Sequence, residues 1–487
     1  MYRKPLRRST ALMLAAIMIF GTFMLTGCGK SYEYISGDVE WMSSVSDSSS
    51  ETGTKTIKDT FYYSDDWFGD DPSSENPELA LASMQLTASC VSDGADNTGE
   101  AFLKSLGFGE VGYSDFASTD PDDCNYTWAR KAIGDSTLVA VVIQSVNNGW
   151  KQKNKAWKQN FTVNEPGGAD PSGEHYAYAA AVDKITDDIA ALAPDGETTF
   201  WITGQSRGGA IANVLAARLS DKSEGSKIFA YTFEAPATVD AEAAGSYKFI
   251  HNYVCSDDIV THIPLWGMTR YGVMHDLKTK DTDEGLDDML TALGSDAAGM
   301  KARIVTDDVV ARLVENLEAK VPSRAEYSAE RTDSWTDAEG VSHDLTYSYQ
   351  DAFVRLMDLV FCEDSSGTLF EELAAIRGDL EAATVHLAAG VVNEYNGKDP
   401  SAEYWEATQG LYDALGGAEG GIPVSEEDLY KVVRVAAPVL LSIPEDGGEP
   451  DTELLTDVVG YNRELTYSHL FDTIIARLKI LAPAPEK

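Results

Sequence analysis

The sequence predicts an α/β protein with a parallel-rich sheet and a large helical insertion, on three observations. Helix and strand signals alternate between residues 178 and 255, a glycine-framed serine sits where one strand turns into one helix, and helical stretches fill residues 278–457 before a last amphipathic helix. Composition agrees with a folded body, since 43% of the 487 residues are apolar and 10% aromatic. Lys and Arg number 38 against 79 Asp and Glu, a formal charge of −41. Such a field repels phosphates, so nucleic acid is not an expected partner.

Along the chain, residues 1–27 read as an export signal: Arg3, Lys4, Arg7 and Arg8 precede the apolar run from Ala11 to Thr26. That run is short for a spanning helix, which needs about 20 residues. L-T-G-C follows, ending at Cys28, and resembles the bacterial lipobox at which the thiol is lipidated. Export and a membrane anchor through Cys28, facing the cell exterior or periplasm, are therefore expected. Residues 28–60 are polar and rise to a serine-rich run over 43–54, a composition expected to form a flexible tether.

The body is expected over residues 61–277 and 458–487. N-P-E-L-A-L-A-S-M-Q-L-T-A-S-C from Asn76 reads as a first helix. T-W-A-R-K-A-I and T-L-V-A-V-V-I-Q, joined by a turn at Gly134 and Asp135, read as a hairpin. Tyr178, Val182, Ile185, Ile189 and Leu192 recur at steps of four and three, a helix that P-D-G ends. The strand T-T-F-W-I-T-G, a helix G-A-I-A-N-V-L-A-A-R-L, and the strands I-F-A-Y-T-F and F-I-H-N-Y-V-C complete a βαβ winding. Residues 278–457 read as a helical insertion or cap, with a glycine-rich break at 416–421. In the last helix Leu470, Ile474 and Leu478 share a face that Phe471 and Ile475 widen.

G-Q-S-R-G at residues 204–208 fits G-x-S-x-G between a strand and a helix, where a sharp turn lifts the Ser206 hydroxyl clear of the sheet. Bulk at Gly204 or Gly208 would collide with the neighbouring backbone. A serine hydroxyl needs an imidazole to take its proton and a carboxylate to orient that imidazole. Asp257 and Asp258, in S-D-D-I-V-T-H-I-P after a strand, are the carboxylate candidates. Cys90, Cys124, Cys255 and Cys362 include no C-x-x-C pair, so no metal site is expected and no disulfide is assigned. No organic cofactor is implied.

These segments resemble the class 3 lipases, the family of the fungal triacylglycerol lipases and their bacterial relatives. F-W-I-T-G-Q-S-R-G-G-A-I-A is similar to the family's strand and elbow, Y-T-F-E-A-P to its F-G-x-P strand, and D-I-V-T-H-I-P to D-I-V-P-x-L-P. The resemblance implies an α/β-hydrolase fold and Asp258, rather than Asp257, as the acid. Y-G-V-M-H-D resembles the family's F-G-x-x-H, whose histidine is usually not catalytic, which leaves His275 as the alternative base. T-Y-S-H-L-F resembles L-D-H-x-x-Y and points to His469.

Chain order agrees, since the elbow's partners follow in the order acid then histidine. Of the seven histidines, His175 and His251 come too early and His262 lies too close to Asp258. His386 reads as a packed helix residue and His343 falls in a polar break. Two departures stand out: Gln205 where the family has His, and V-I-Q-S-V at 142–146 in place of F-R-G-T or F-R-G-S. W-K-Q-N-F at 157–161 resembles the segment that follows this loop, so the oxyanion donors expected are the backbone amides of Arg207 with Ser145 or Val146.

The expected function is an exported, lipid-anchored serine hydrolase acting on carboxylic esters, with acyl lipids the class the resemblance implies. A non-catalytic surface binding or scaffold protein on the same fold, and a thioesterase or peptidase with the same triad, are the alternatives. The stretch from Asp258 to His469 far exceeds that of the compact fungal enzymes, so the inserted helices are expected to cap the pocket.

Overall fold

The computed structural model describes residues 32–43, 55–90, 98–114, 124–144, 150–165, 172–193, 197–223, 225–244, 247–264, 267–301, 306–321, 323–360, 381–417, 424–441, 443, 450–460 and 464–485. The expected signal over 1–27, Cys28, Ser145, Val146 and Cys362 lie outside them. No helix among the described residues is long and apolar enough to cross a membrane.

Among the described residues a hairpin of β1 (Ile35–Met42) and β2 (Thr56–Tyr63) comes first, followed by helix α1 (Pro77–Cys90). The main sheet has seven strands: β3 (Glu110–Tyr113), β4 (Tyr126–Ile133), β5 (Ser136–Ile143), β6 (Thr198–Gln205), β7 (Lys227–Phe233), β8 (Ile250–Val254) and β9 (Val273–Asp276). They lie side by side in chain order, antiparallel from β3 to β5 and parallel from β5 to β9. Between them run α2 (Trp150–Phe161), α3 (Tyr176–Ala190) and α4 (Arg207–Lys222). Right-handed crossovers that all step the same way place α3 and α4 on one face of the sheet.

Strand period divides the core. On β5, Val139, Val141 and Ile143 join Phe200, Ile202, Ile228 and Ala230 under the apolar side of α3 and α4. Leu138, Ala140 and Val142 join Trp201, Phe229, Tyr231 and Tyr253 on the opposite face. That face is covered by α1, by α5 (Lys280–Leu293) and by the last helix. Because both faces are covered, β5 is apolar without a break from Leu138 to Ile143, and β6 is buried along its whole length.

Two expectations need correction. Residues 35–42 and 56–63 are not tether: Val39, Trp41, Ile57 and Phe61 are buried in the main core, and the serine-rich 44–54 lies outside the described residues. Secondly, α5 belongs to the body rather than to an insertion beginning at 278. Its Leu286, Leu290 and Leu293 pack with Ile474, Ile475 and Leu478 of the last helix.

The insertion proper comprises α6 (Thr306–Lys320), the hairpin of β10 (Arg331–Thr336) and β11 (Ser342–Tyr347), α7 (Tyr349–Val360), α8 (Glu381–Tyr395), α9 (Ser401–Ala414), α10 (Glu426–Leu440) and α11 (Glu453–Gly460). The β10–β11 hairpin was not foreseen. The chain returns through α12 (Phe471–Leu481). Insertion and body are fastened at the end of α2. Arg324 donates to Asn164 Oδ1 (2.5 Å), Val163 O (3.1 Å) and Glu174 O (2.8 Å), while Tyr327 donates to Phe161 O (2.7 Å).

Candidate active site

Ser206 occupies the turn between β6 and α4 with φ 58° and ψ −134°, a backbone state that costs a non-glycine residue about 1–3 kcal/mol. The surroundings enforce it. A Cβ on Gly204 would meet Gly208 O at 2.5 Å, and one on Gly209 would meet Gly204 O at 3.0 Å, so strand and helix approach only because both are glycine. The Ser206 amide donates to Phe233 O at 2.9 Å. Beneath the turn, Trp201 donates to Ser83 Oγ (2.7 Å) and Thr203 shares a hydrogen bond with Thr87 (2.9 Å), which stitches β6 to α1.

His469 comes from the far end of the chain, at the close of a 3-10 turn (Glu464–His469) just before α12. Its Nε2 lies 2.9 Å from Ser206 Oγ and its Nδ1 2.6 Å from Asp258 Oδ2. With Nδ1 against a carboxylate, the proton belongs on Nδ1 and the Nε2 lone pair faces the serine hydroxyl. The other carboxylate oxygen, Asp258 Oδ1, accepts from Val260 N at 3.0 Å. Asp258 is fully buried and Ser206 is 8% exposed, so these charges act in a dry setting.

The supporting contacts explain why so distant a histidine is held. Asp472, in the first turn of α12, accepts from Trp41 Nε1 (3.0 Å), Ser43 Oγ (2.5 Å) and Ser295 Oγ (2.5 Å). The N-terminal hairpin thus clamps the helix that follows His469. Asp257 accepts from Tyr467 OH at 2.6 Å and from Lys278 Nζ at 3.2 Å, tying the acid loop to the histidine turn. Burial pushes its carboxyl up, but the Tyr467 hydroxyl, Arg477 and Lys278 outweigh that and hold it below the usual carboxylate range. Adjacent aspartates therefore divide the work, one binding the imidazole and the other the loops.

Gln205 was noted only as a departure, yet its amide donates to His469 O at 3.1 Å and lies 3.2 Å from His469 Nε2. Nothing local in the sequence signals that contact, because it spans 264 positions.

The remaining histidines are engaged elsewhere. His275 Nε2 lies 2.9 Å from His251 Nδ1 and its Nδ1 3.2 Å from Glu75, at the β9 edge of the sheet. His175 is buried, bonds Asn160 O (3.2 Å) and stacks on Tyr178; burial pushes it down to about 3, so it is neutral. His262 bonds Ser256 O, His343 pairs with Asp337, and His386 pairs with Glu403 on α9 rather than packing in a core.

The Arg207 amide stands at the first turn of α4, where the helix dipole favours developing negative charge. Gln144, at the end of β5, is held by hydrogen bonds to Asn125 O (2.9 Å) and Cys90 O (2.8 Å). The described residues contain no cluster of His, Cys, Asp and Glu fit for a metal ion, and Cys90, Cys124 and Cys255 form no disulfide with one another. Insertion helix α6 packs beside both the acid turn (Ile259–His262) and the histidine turn, with Ile259 against Val309 and Val310.

The family model for Lipase (class 3) matches residues 137–268, which run from β5 through the elbow and the acid turn. Among solved structures, the chain is similar to the lipase of Rhizopus microsporus var. chinensis at 19% identity, covering 42% of this chain and 73% of that one with a TM-score of 0.30. It is similar to the triacylglyceride lipase of Rhizomucor miehei at 20% identity, over 41% and 78% of the two chains, TM-score 0.30. The Lip2 lipase of Yarrowia lipolytica gives 17% identity, 41% and 77%, and 0.29. No curated protein matches. Over residues 137–268 the chain is class 3 lipase-like, and by that likeness a serine ester hydrolase.

Proposed function

We propose that the protein hydrolyses carboxylic esters of acyl lipids through an acyl-enzyme on Ser206, with His469 as the base and Asp258 as the acid. The observation that carries this reading is the unbroken series Asp258 Oδ2, His469 Nδ1, His469 Nε2, Ser206 Oγ at 2.6 and 2.9 Å. As Ser206 Oγ attacks the ester carbonyl, its proton passes to His469 Nε2, and Asp258 stabilises the imidazolium. The Arg207 amide, with Ser145 or Val146 as second donor, takes the oxyanion. His469 then returns the proton to the leaving alkoxide. Water, deprotonated by the same nitrogen, cleaves the acyl-enzyme and restores the serine.

The basic and apolar pattern of residues 1–27 with L-T-G-C supports export and anchoring of the chain by a lipidated Cys28, outside the cytoplasm of a bacterium. The substrate class suits that place, since an anchored hydrolase meets membrane acyl lipids at high local concentration.

The test is turnover of p-nitrophenyl esters and of acyl lipids by wild type and Ser206→Ala. Loss of both activities in a variant with unchanged thermal transition is expected. Retained turnover in Ser206→Ala would overturn the acyl-enzyme on Ser206, and a wild type with no turnover would leave the scaffold reading. Separately, Cys28→Ser should move the protein from the membrane to the soluble fraction. Unchanged membrane association with no lipid mass on the N-terminal peptide would refute the anchor.

A further inference from the structure

A second carboxyl stands behind the acid of the triad. Glu234, the residue after β7, is fully buried and adopts φ 44°, a left-handed state that side chains other than glycine, asparagine and aspartate seldom take. Its amide donates to Tyr253 O at 2.9 Å, which fixes the backbone. Its Oε2 accepts from Cys255 N at 2.9 Å. Its Oε1 meets no donor, and the group it faces is the carboxyl of Asp258.

Two fully buried carboxyls packed together are not both ionised, and one of them holds a proton. Asp258 already accepts from His469 Nδ1 and Val260 N, contacts suited to a carboxylate. Glu234 accepts from Cys255 alone, through its amide and its neutral thiol, and from no cation. The other groups around the pair are the Cys255 thiol, which burial keeps protonated, and the Arg270 guanidinium. Arg270 is itself buried and held by Ala235 O and Thr261 O, so it supplies positive charge to the pair without bonding either carboxyl. Burial and the Asp258 charge hold the Glu234 carboxyl well above the usual carboxylate range.

We propose that Glu234 is a positioning residue for the hydrolytic triad, a neutral carboxylic acid whose O–H donates to Asp258 and holds that carboxylate against His469. The inference rests on the reading of Ser206, His469 and Asp258 as catalytic. The acid occupies the place where solvent would otherwise bond the back of Asp258, and it does so without adding charge. A lone Asp258 would swing more freely and hold the imidazolium more strongly.

The experiment compares wild type, Glu234→Gln and Glu234→Gly in two measurements. In infrared difference spectra at neutral pH, a carboxylic-acid C=O stretch should be present in wild type and absent in Glu234→Gln. In pH profiles of ester hydrolysis, Glu234→Gln, whose amide N–H can also donate, should keep kcat within a few-fold and leave the acid limb in place. Glu234→Gly should lower kcat by about 10²-fold with little change in KM, the scale of a misplaced catalytic group, and move the acid limb to higher pH. Glycine relieves the left-handed backbone but empties a buried site, so the thermal transition of each variant is recorded beside its kinetics, and the kcat and acid-limb changes are read in the folded protein.

A missing acid band, or a Gln variant as impaired as the Gly variant, would show that Glu234 is ionised and overturn the proposal. So would a Gly variant with wild-type kcat and acid limb. If wild type itself turns over no ester, the hydrolase reading falls and the positioning role with it, whereas the infrared band tests the held proton on its own.

Discussion

The α/β body and the inserted helices are built on different terms. In the body, one sheet divides two large apolar layers, and its buried polar groups converge on the Ser206 turn, the acid turn and the start of α12. The insertion has smaller, separate apolar clusters, around Trp335 and Tyr430, around Tyr327 and Tyr349, and around Val309 and Leu454. Ion pairs join its elements, as Arg434 of α10 does with Asp333 of β10 and Glu394 of α8 (3.1 Å each), and Lys431 of α10 with Asp351 of α7. Continuous packing holds a geometry to tenths of an ångström, which proton transfer requires. Separate clusters tolerate rearrangement, which suits a surface that selects substrate.

The largest effect expected from this division falls on the base. His469→Ala should lower kcat by about 10⁴-fold or more, while His275→Ala, at the sheet edge with His251 and Glu75, should leave it within a few-fold. The reverse result in steady-state kinetics would transfer the base to His275.

A pair of tryptophan truncations separates the regions next. Trp201→Ala removes a fully buried ring beneath the elbow, at a cost of about 3–5 kcal/mol, and should reduce thermal stability and ester turnover together. Trp335→Ala, which removes the ring stacked on His343 and Tyr430, should destabilise the insertion yet keep turnover of a small soluble ester, altering only preference among longer acyl chains. Parallel melting and chain-length profiles of the two variants would measure this. Equal loss of small-ester turnover in both would show that the insertion holds the catalytic geometry too.

Acid should affect the body at defined groups. His175 is neutral in the fold at about 3, below its unfolded value of about 6.5, so the unfolded chain binds the extra proton between those values. Stability is therefore complete above that window, falls through it by about 1.4 kcal/mol per pH unit for this one proton, and falls no further below it. Asp257, held below the usual carboxylate range, adds stability above the unfolded carboxylate value that is lost as pH falls through its own lower one. His175→Gln should flatten the acid side of a plot of Tm against pH, even if its Tm at neutral pH is lower.

How much of this was legible in the sequence follows from the range of each signal. Strands β4 to β8 and the elbow were legible because apolar runs, the turn at Gly134 and Asp135, and the glycine-framed Ser206 are local patterns. That Asp258 rather than its neighbour Asp257 meets the histidine came from the resemblance, since two adjacent aspartates offer no local distinction. The helical character of the stretch that holds α5 was legible, but its partner, α12, lies almost 200 residues on, so the helix was given to the insertion. β1 was lost because I-S-G-D-V-E-W-M looks polar, and the burial of Val39 and Trp41 depends on α12. Glu234 had no signal of its own beyond standing where the family carries glycine in F-G-x-P, which in hindsight marks its left-handed backbone.

The central claim, that Ser206 is a nucleophile activated by His469, is tested most directly by labelling the purified protein with a fluorophosphonate and locating the adduct by peptide mass spectrometry. One phosphonyl group on Ser206 in wild type, none in Ser206→Ala and a labelling rate sharply reduced in His469→Ala are the results expected. An unlabelled wild type, or an adduct of undiminished rate in Ser206→Ala, would contradict the account.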